Sequence, residues 1–301
     1  MDKLLNLKNI SLTYHSKKSE TLALDKLSFA LADQDFVSIV GPSGCGKSTI
    51  LSLISGLLKP TKGIITLGGE KIEKPSHKVG YMFQRDNLFE WLNIEKNILL
   101  SQEITKQKSK ENKNYALSLL EKYGLLEFKS HYPSELSGGM RQRVSLIRTL
   151  ATKPKLLLLD EPFSALDYQT RLLVQDDISA IIKSENKTAI LVTHDISEAI
   201  CMSKRIIILT QRPGTVKKII DLDFDEKLTP FQRRKLPIFN EYFDMVWREL
   251  IWNKTTPLNI KNISENLPLK VLWFILLKLC CWLPCFFVGN WWQTLGLLTH
   301  L

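Results

Sequence analysis

Nine consecutive residues, Gly41-Pro42-Ser43-Gly44-Cys45-Gly46-Lys47-Ser48-Thr49, combine three glycines, one lysine and two terminal hydroxyls in the G-x-x-x-x-G-K-[ST] order. That order suits a polyphosphate. The glycines permit a tight path on which successive backbone N–H groups converge on one anion. Lys47 can then reach the β- and γ-phosphates of ATP or GTP, and the Ser48 hydroxyl is placed to ligate Mg²⁺. A second chemical pair is Asp160-Glu161, at the end of the apolar run Leu156-Leu157-Leu158-Leu159. A buried strand there would deliver Asp160 to the same Mg²⁺. Glu161, one residue on, would reach a water in line with the γ-phosphate, as a general base or a water-positioning group. A third feature is Ser137-Gly138-Gly139 just before a helical stretch, where an N-cap and bare backbone make an anion site. Taken singly, these are a Gly-rich turn, a strand end with solvated acids and an ordinary helix cap.

The elements around them support the chemical reading. Asp35–Val40 reads as a short buried strand before the glycine loop, and Ser48–Ser55 as a helix with an apolar face after it. Leu4–Tyr14 and Leu27–Leu31 are strand-like, with a polar turn His15–Glu20 between them. Gly63–Leu67 and Val79–Phe83 follow, separated by the turn-rich Gly68–His77. Through residues 90–151, Leu and Ile recur at helical spacing, notably in Ile94–Leu100 and Tyr115–Leu126, which predicts an inserted helical region. Strands return at Leu156–Leu159, Ala189–Val192 and Ile206–Leu209. The first is continuously apolar, as expected of a parallel strand buried on both faces. Phe231–Trp252 reads as one amphipathic helix, and residues 253–266 as a polar linker.

Composition excludes several classes. With 301 residues, 44% hydrophobic and 24% charged, the chain can bury a large core and is globular rather than disordered. The net charge is +10, but the Lys and Arg are spread along the chain, which argues for a general surface and against a nucleic-acid partner. Met1–Tyr14 lacks the apolar core of a signal peptide, so the main body is expected in the cytosol. Five cysteines are too few and too uneven for a disulfide framework. Cys280, Cys281 and Cys285 sit in an apolar stretch with no His pair nearby, and read as small hydrophobes rather than metal ligands.

Together the motifs resemble the ATPase subunit of an ABC transporter over roughly residues 4–250. They occur in that family's order: phosphate loop 41–49, Gln84 after a strand, Leu136–Met140, Asp160-Glu161, Ser164-Ala165-Leu166-Asp167, and Thr193-His194-Asp195 after a strand. The resemblance implies an α/β P-loop core with a mainly parallel sheet, an antiparallel β subdomain and a helical subdomain at about 88–152. It also implies roles. Tyr14 would stack on adenine. Gln84 would touch Mg²⁺ and the attacking water. Glu161 would be the catalytic base, Asp167 would signal across a dimer, and His194 would contact the γ-phosphate. In this family each chain holds half of two sites, so ATP on Gly41–Thr49 of one chain is closed over by Ser137-Gly138-Gly139 of its partner. Two departures stand out. Met140 replaces the Gln that usually ends Leu136–Met140, and Gln34-Asp35 replaces a Gly-Glu turn before the phosphate-loop strand. An ABC ATPase of translation or DNA repair, with paired halves or a long coiled-coil insertion, fits less well. So does a P-loop kinase or GTPase, since Leu136–Met140 argues against both and no Asn-Lys-x-Asp motif is present.

Within that family, Val79–Ile94, Leu136–Arg143 and Thr210–Gly214 resemble the nitrate, sulfonate and taurine importers, a group that also includes carriers of thiamine-pyrimidine precursors. The implied partners are a second copy of the chain, separate transmembrane permease subunits and, indirectly, an extracellular solute-binding protein. The implied place is the cytoplasmic face of the cell membrane. Leu88, Phe89 and Trp91 are expected to be exposed and to dock a permease helix.

From Leu267 the composition turns sharply apolar, and residues 267–301 form a distinct tail after an ATPase domain of residues 1–252. Residues 271–288 approach the ~20 residues of a membrane span. Their Leu, Ile, Phe and Val residues favour insertion by about 3–7 kcal/mol, which Lys278 opposes by about 2.5–3.5 kcal/mol. Pro284 weakens a helix there. A membrane anchor, the remnant of a fused membrane subunit or a frame accident, and a helix packed on protein all remain open for this tail.

Overall fold

The computed structural model describes residues 3–15, 19–106 and 109–251. The chain divides into two units, Met1–Asn253 and Lys254–Leu301. The apolar tail and its linker therefore lie outside the described residues. Among the described residues no helix is long and apolar enough to cross a membrane.

In chain order the elements are β1 (Lys3–His15), β2 (Glu20–Ala32), β3 (Phe36–Val40), α1 (Lys47–Ile54), β4 (Lys62–Leu67), β5 (Glu70–Lys71) and β6 (Val79–Met82). Then come α2 (Ile94–Ile104), α3 (Lys110–Lys122), α4 (Gly138–Leu150), β7 (Leu156–Asp160), α5 (Tyr168–Ser184) and β8 (Thr188–Val192). The last are α6 (Ile196–Met202), β9 (Arg205–Leu209), β10 (Val216–Asp221), α7 (Pro230–Arg234) and α8 (Pro237–Ile251). The strands form two sheets. One is antiparallel, in the order β2-β1-β4-β5. The other has the order β10-β9-β3-β8-β7-β6, with every pairing parallel except that of β10 at the edge.

The parallel strands are mostly apolar because both faces are covered. Along β7, Leu157 and Leu159 enter one core while Leu156 and Leu158 enter another. The same alternation runs through β8, with Ala189 and Leu191 on one side and Ile190 and Val192 on the other. The first core is closed by the helical layer of α2 to α5, and the second by α1 and the antiparallel sheet. Side chains one residue apart thus lock the sheet between two layers, and a one-residue slip in register would reverse every contact.

Two details differ from the sequence reading. The expected helix over Phe231–Trp252 is two helices, α7 and α8, because Pro237 opens the second and cannot continue the first. The edge strand β10, in which Lys217 and Lys218 interrupt the apolar residues, has no long apolar run to announce it.

Candidate functional site

Strands β3, β6, β7 and β8 run in the same direction, so their C-terminal ends meet at one edge of the sheet. Gly41, Gln84, Asp160-Glu161 and His194 follow these four ends, and such an edge is where open α/β sheets bind ligands. The sheet thereby gathers residues that span more than half of the sequence.

The phosphate loop has the backbone its glycines suggest. Gly44 and Gly46 lie at φ 73° and 106°, where only glycine is unstrained. A Cβ on Gly46 would also approach Leu24 Cδ2 to 2.8 Å. Gly46 caps α1 without a side-chain hydrogen bond, so the first-turn N–H groups remain for an anion. Cys45 N donates to Pro42 O at 3.2 Å, closing the turn, and Ser43 is exposed at its tip. Lys47 Nζ donates to the carbonyls of Gly41 (2.8 Å) and Pro42 (3.2 Å), which hold it at the mouth of the loop. Cys45 is buried, and burial pushes its thiol up despite the nearby Lys47, so it fills space rather than reacts. Tyr14 comes from β1; its hydroxyl lies 3.3 Å from Thr49 Oγ1, which sets an exposed ring beside the loop.

Ser48 Oγ donates to Asp160 Oδ1 at 3.4 Å, and Tyr81 Oη donates to Asp160 Oδ2 at 3.0 Å. Burial raises the Asp160 pKa above the usual carboxylate range, against the pull of the Tyr81 and Ser48 hydrogen bonds. A half-buried carboxylate beside a hydroxyl, next to a phosphate loop, suits Mg²⁺. That hard cation takes few protein oxygens and completes its shell with phosphate and water. No cluster of three or more His, Cys, Asp or Glu fit for a metal occurs among the described residues.

Glu161 is the most constrained residue of the edge. Its φ is +46°, a left-handed conformation that costs a non-glycine residue about 1–3 kcal/mol. Its N–H donates to Val192 O at 2.8 Å, while Ser164 N (3.2 Å) and Ser164 Oγ (3.0 Å) both donate to its carbonyl. Backbone held this firmly aims the carboxylate. Gln84 Nε2 donates to Glu161 Oε2 at 3.3 Å, and His194 Nδ1 lies 3.2 Å from the same oxygen.

Ser137 and Asp167 are placed differently. Ser137 caps α4 by accepting from Met140 N at 3.3 Å. Asp167 caps α5 by accepting from Thr170 N at 3.0 Å, and hydrogen bonding from the Thr170 side chain, then from its backbone N–H, holds the carboxyl below its ordinary value. Neither shares a hydrogen bond with the strand-end residues. The two glycines after Ser137 have a packing reason as well as an anion one: a Cβ on Gly139 would meet Val174 Cγ2 at 2.8 Å, and one on Gly138 would meet Leu166 Cδ2 at 3.1 Å. Met140, the departure from Gln, packs against the helical-layer core.

Gln34, the other departure, sits at φ +60°, the position a glycine would favour. Asp35 takes over the turn. Its Oδ2 accepts from Ala32 N at 3.0 Å and pairs with Arg205. Leu88, expected to be exposed, is instead buried at 7% in the helical-layer core. Trp91 is 73% exposed and lies against Phe89, with ring centroids 5.1 Å apart. Asn97 fixes this loop, accepting from Phe89 N at 2.8 Å and donating to Leu92 O at 2.8 Å.

Sequence reasoning missed Tyr81, which orients the Asp160 carboxylate, and Arg171 and Glu198, which brace the turn around His194. Tyr81 pairs in register with Leu158. Only the knowledge that β6 lies beside β7 brings its hydroxyl to Asp160.

A nucleotide loop after β3, two carboxylates at the end of β7 and a Gln–Glu–His cluster at one sheet edge define a P-loop ATPase. The ABC transporter family description matches residues 24–164. The chain is 45% identical over 247 residues to an ABC transporter ATP-binding protein of Bacillus subtilis, YtlC, spanning 82% of this chain and 95% of that one. The chain therefore belongs to the ABC transporter ATP-binding family. It is 44% identical to the aliphatic sulfonates import ATP-binding protein SsuB of Bacillus cereus, over 74% of this chain and 86% of that one. It is 40% identical to the taurine import ATP-binding protein TauB of Rhizobium johnstonii, over 73% and 85% respectively. Among solved structures, it is similar to the ATP-binding cassette MJ0796 in a dimeric post-hydrolysis state bound to ADP and Pi. That likeness has a TM-score of 0.62 at 32% identity and covers 73% of this chain and all of that one.

Proposed function

We propose that this ATPase powers import of a small solute, of the sulfonate or taurine type, by ATP-driven closure of a homodimer beneath transmembrane permease subunits. The observation that carries the proposal is the convergence of Gln84 and His194 on Glu161, next to Asp160, which is tied to the phosphate loop through Ser48. Similarity to import ATP-binding proteins supports the direction of transport and the solute class. A sibling cargo, such as a thiamine-pyrimidine precursor, would use the same machinery.

In this reading Gly41–Thr49 wraps the phosphates, Lys47 offsets charge on the β- and γ-groups, and Tyr14 packs against adenine. Ser48 and Asp160, with Gln84, would hold Mg²⁺. When bound there, Mg²⁺ would supply positive charge against that building on the phosphoryl oxygens. Glu161 accepts a proton from the attacking water, Gln84 holds the carboxylate in place, and His194 faces the γ-phosphate. Ser137, Gly138 and Gly139 close over the partner's nucleotide through the cap of α4, and Asp167 reports that closure across the dimer.

The ATPase domain spans residues 1–252, with a helical subdomain at about 88–152. Its exposed Trp91 and half-buried Phe89 form a permease-docking surface that keeps the subunit on the cytoplasmic face of the membrane. An extracellular solute-binding protein would act on it only through the permease.

Glu161→Gln should abolish turnover while ATP still binds, measured by phosphate release and nucleotide titration; wild-type hydrolysis in that variant would refute the assignment. Trp91→Ala should abolish co-purification with the permease and leave basal hydrolysis intact; unchanged co-purification would remove the docking surface.

A further inference from the structure

We propose that Arg171 is a positioning residue that ties the loop before α5 to the turn carrying His194, so that contact sensed at Asp167 is passed to the hydrolytic edge. The proposal rests on the roles given above to Glu161, His194 and Asp167.

Arg171 lies one turn into α5, with its guanidinium between two loops. On one side NH2 donates to Leu166 O at 3.0 Å, the carbonyl immediately before Asp167. On the other, NH1 lies 3.7 Å from Asp195 Oδ2 and 3.8 Å from Glu198 Oε1. Those carboxylates shape the turn. Asp195 accepts from Ser197 N (2.7 Å) and Glu198 N (3.3 Å), starting α6. Glu198 accepts from the Thr193 hydroxyl at 2.6 Å, and that hydroxyl in turn accepts from Asp195 N at 3.0 Å. His194 is therefore flanked on both sides by residues fixed in one network, and its ring lies 3.2 Å from Glu161 Oε2.

Burial makes the network selective. Glu198 is 3% exposed, and the guanidinium is the cationic side chain that faces it from the packed helix α5. A buried carboxylate without a counter-charge is strongly disfavoured, so the turn cannot leave Arg171 without losing the charge balance of Glu198. The Leu166 carbonyl is held by the same planar fork. One rigid group thus sets the spacing of both loops, which a single ammonium cannot reproduce. The two loops are distant along the chain: 166 and 195 are separated by the whole of α5 and β8.

A structural role and a positioning role make different predictions. Arg171→Ala should lower kcat by about tenfold to a hundredfold, the range expected when a reacting group is displaced slightly, while the KM for ATP shifts by no more than about twofold. The Hill coefficient for ATP should fall towards one. Arg171→Lys keeps the charge without the fork and should recover stability with little of the rate. The deciding variant is Arg171→Ala with Glu198→Gln, which removes both charges and restores thermal stability. Turnover and cooperativity that stay low in this stable double variant support positioning. Recovery of kcat together with the melting temperature, or an Arg171→Ala enzyme with wild-type kcat, overturns it. Glu161→Gln in the same preparation is the control on the underlying site: if that variant hydrolyses ATP normally, the assignment of Glu161 fails whatever Arg171 does.

Discussion

At the residue scale, two groups at the strand ends work under constraint. Glu161 is held in a left-handed backbone by three hydrogen bonds, and such strain persists only where surrounding structure enforces it. Asp160 is held as a half-buried carboxylate whose ionised form is disfavoured by burial and favoured by the Tyr81 and Ser48 hydroxyls. Its folded pKa lies above the unfolded value. Lowering pH through that raised value therefore protonates Asp160 in the folded protein first, and a protonated carboxyl is a poor Mg²⁺ ligand. Mg²⁺ binding at subsaturating metal should therefore weaken as the pH falls through that raised value. Tyr81→Phe removes one hydrogen bond to the ionised form, so the acid limb of kcat/KM should move to higher pH. A pH–rate profile with an unshifted limb would show that Tyr81 does not tune Asp160.

At the scale of elements, the close approach of α4 and α5 matters most. Gly139 lies where α4 meets Val174 and Thr170 of α5, and a methyl group has no room there. Gly139→Ala should destabilise the fold by about 1–3 kcal/mol and tilt the cap at Ser137, seen as a lower melting temperature and weaker ATP-dependent association. A neutral substitution would mean the helices can part without affecting the cap. These elements also mark what the sequence could reveal. Buried parallel strands are legible because two covered faces demand unbroken apolar runs, as in Leu156–Leu159. The phosphate loop is legible because its chemistry is local. Arg171, Glu198 and Tyr81 were not, since each acts across strands or loops distant in the chain, and a lone Arg or Tyr in a helix or strand has no periodic signal. The split between α7 and α8 was legible in Pro237 and was overridden by the amphipathic pattern on either side of it. Leu88 reads as part of an apolar docking loop, but its burial depends on the helical layer folding back over it.

At the scale of the whole molecule, the proposed site draws on residues from two separate parts of the described fold. Gly41–Thr49, Gln84, Asp160, Glu161 and His194 gather at one sheet edge, while Ser137–Gly139 begin a helix in the other layer and bond within it. Under the proposed function, a site built from both would need a second chain; the cassette to which this one is similar is dimeric. The most direct measurement is the solution mass of the full chain carrying Glu161→Gln, by light scattering with Mg²⁺ and either ATP or ADP. ATP should double the mass and ADP should not, and adding Ser137→Arg should leave the protein at monomer mass in ATP. A Ser137→Arg, Glu161→Gln protein that still doubles its mass with ATP would contradict the two-chain site.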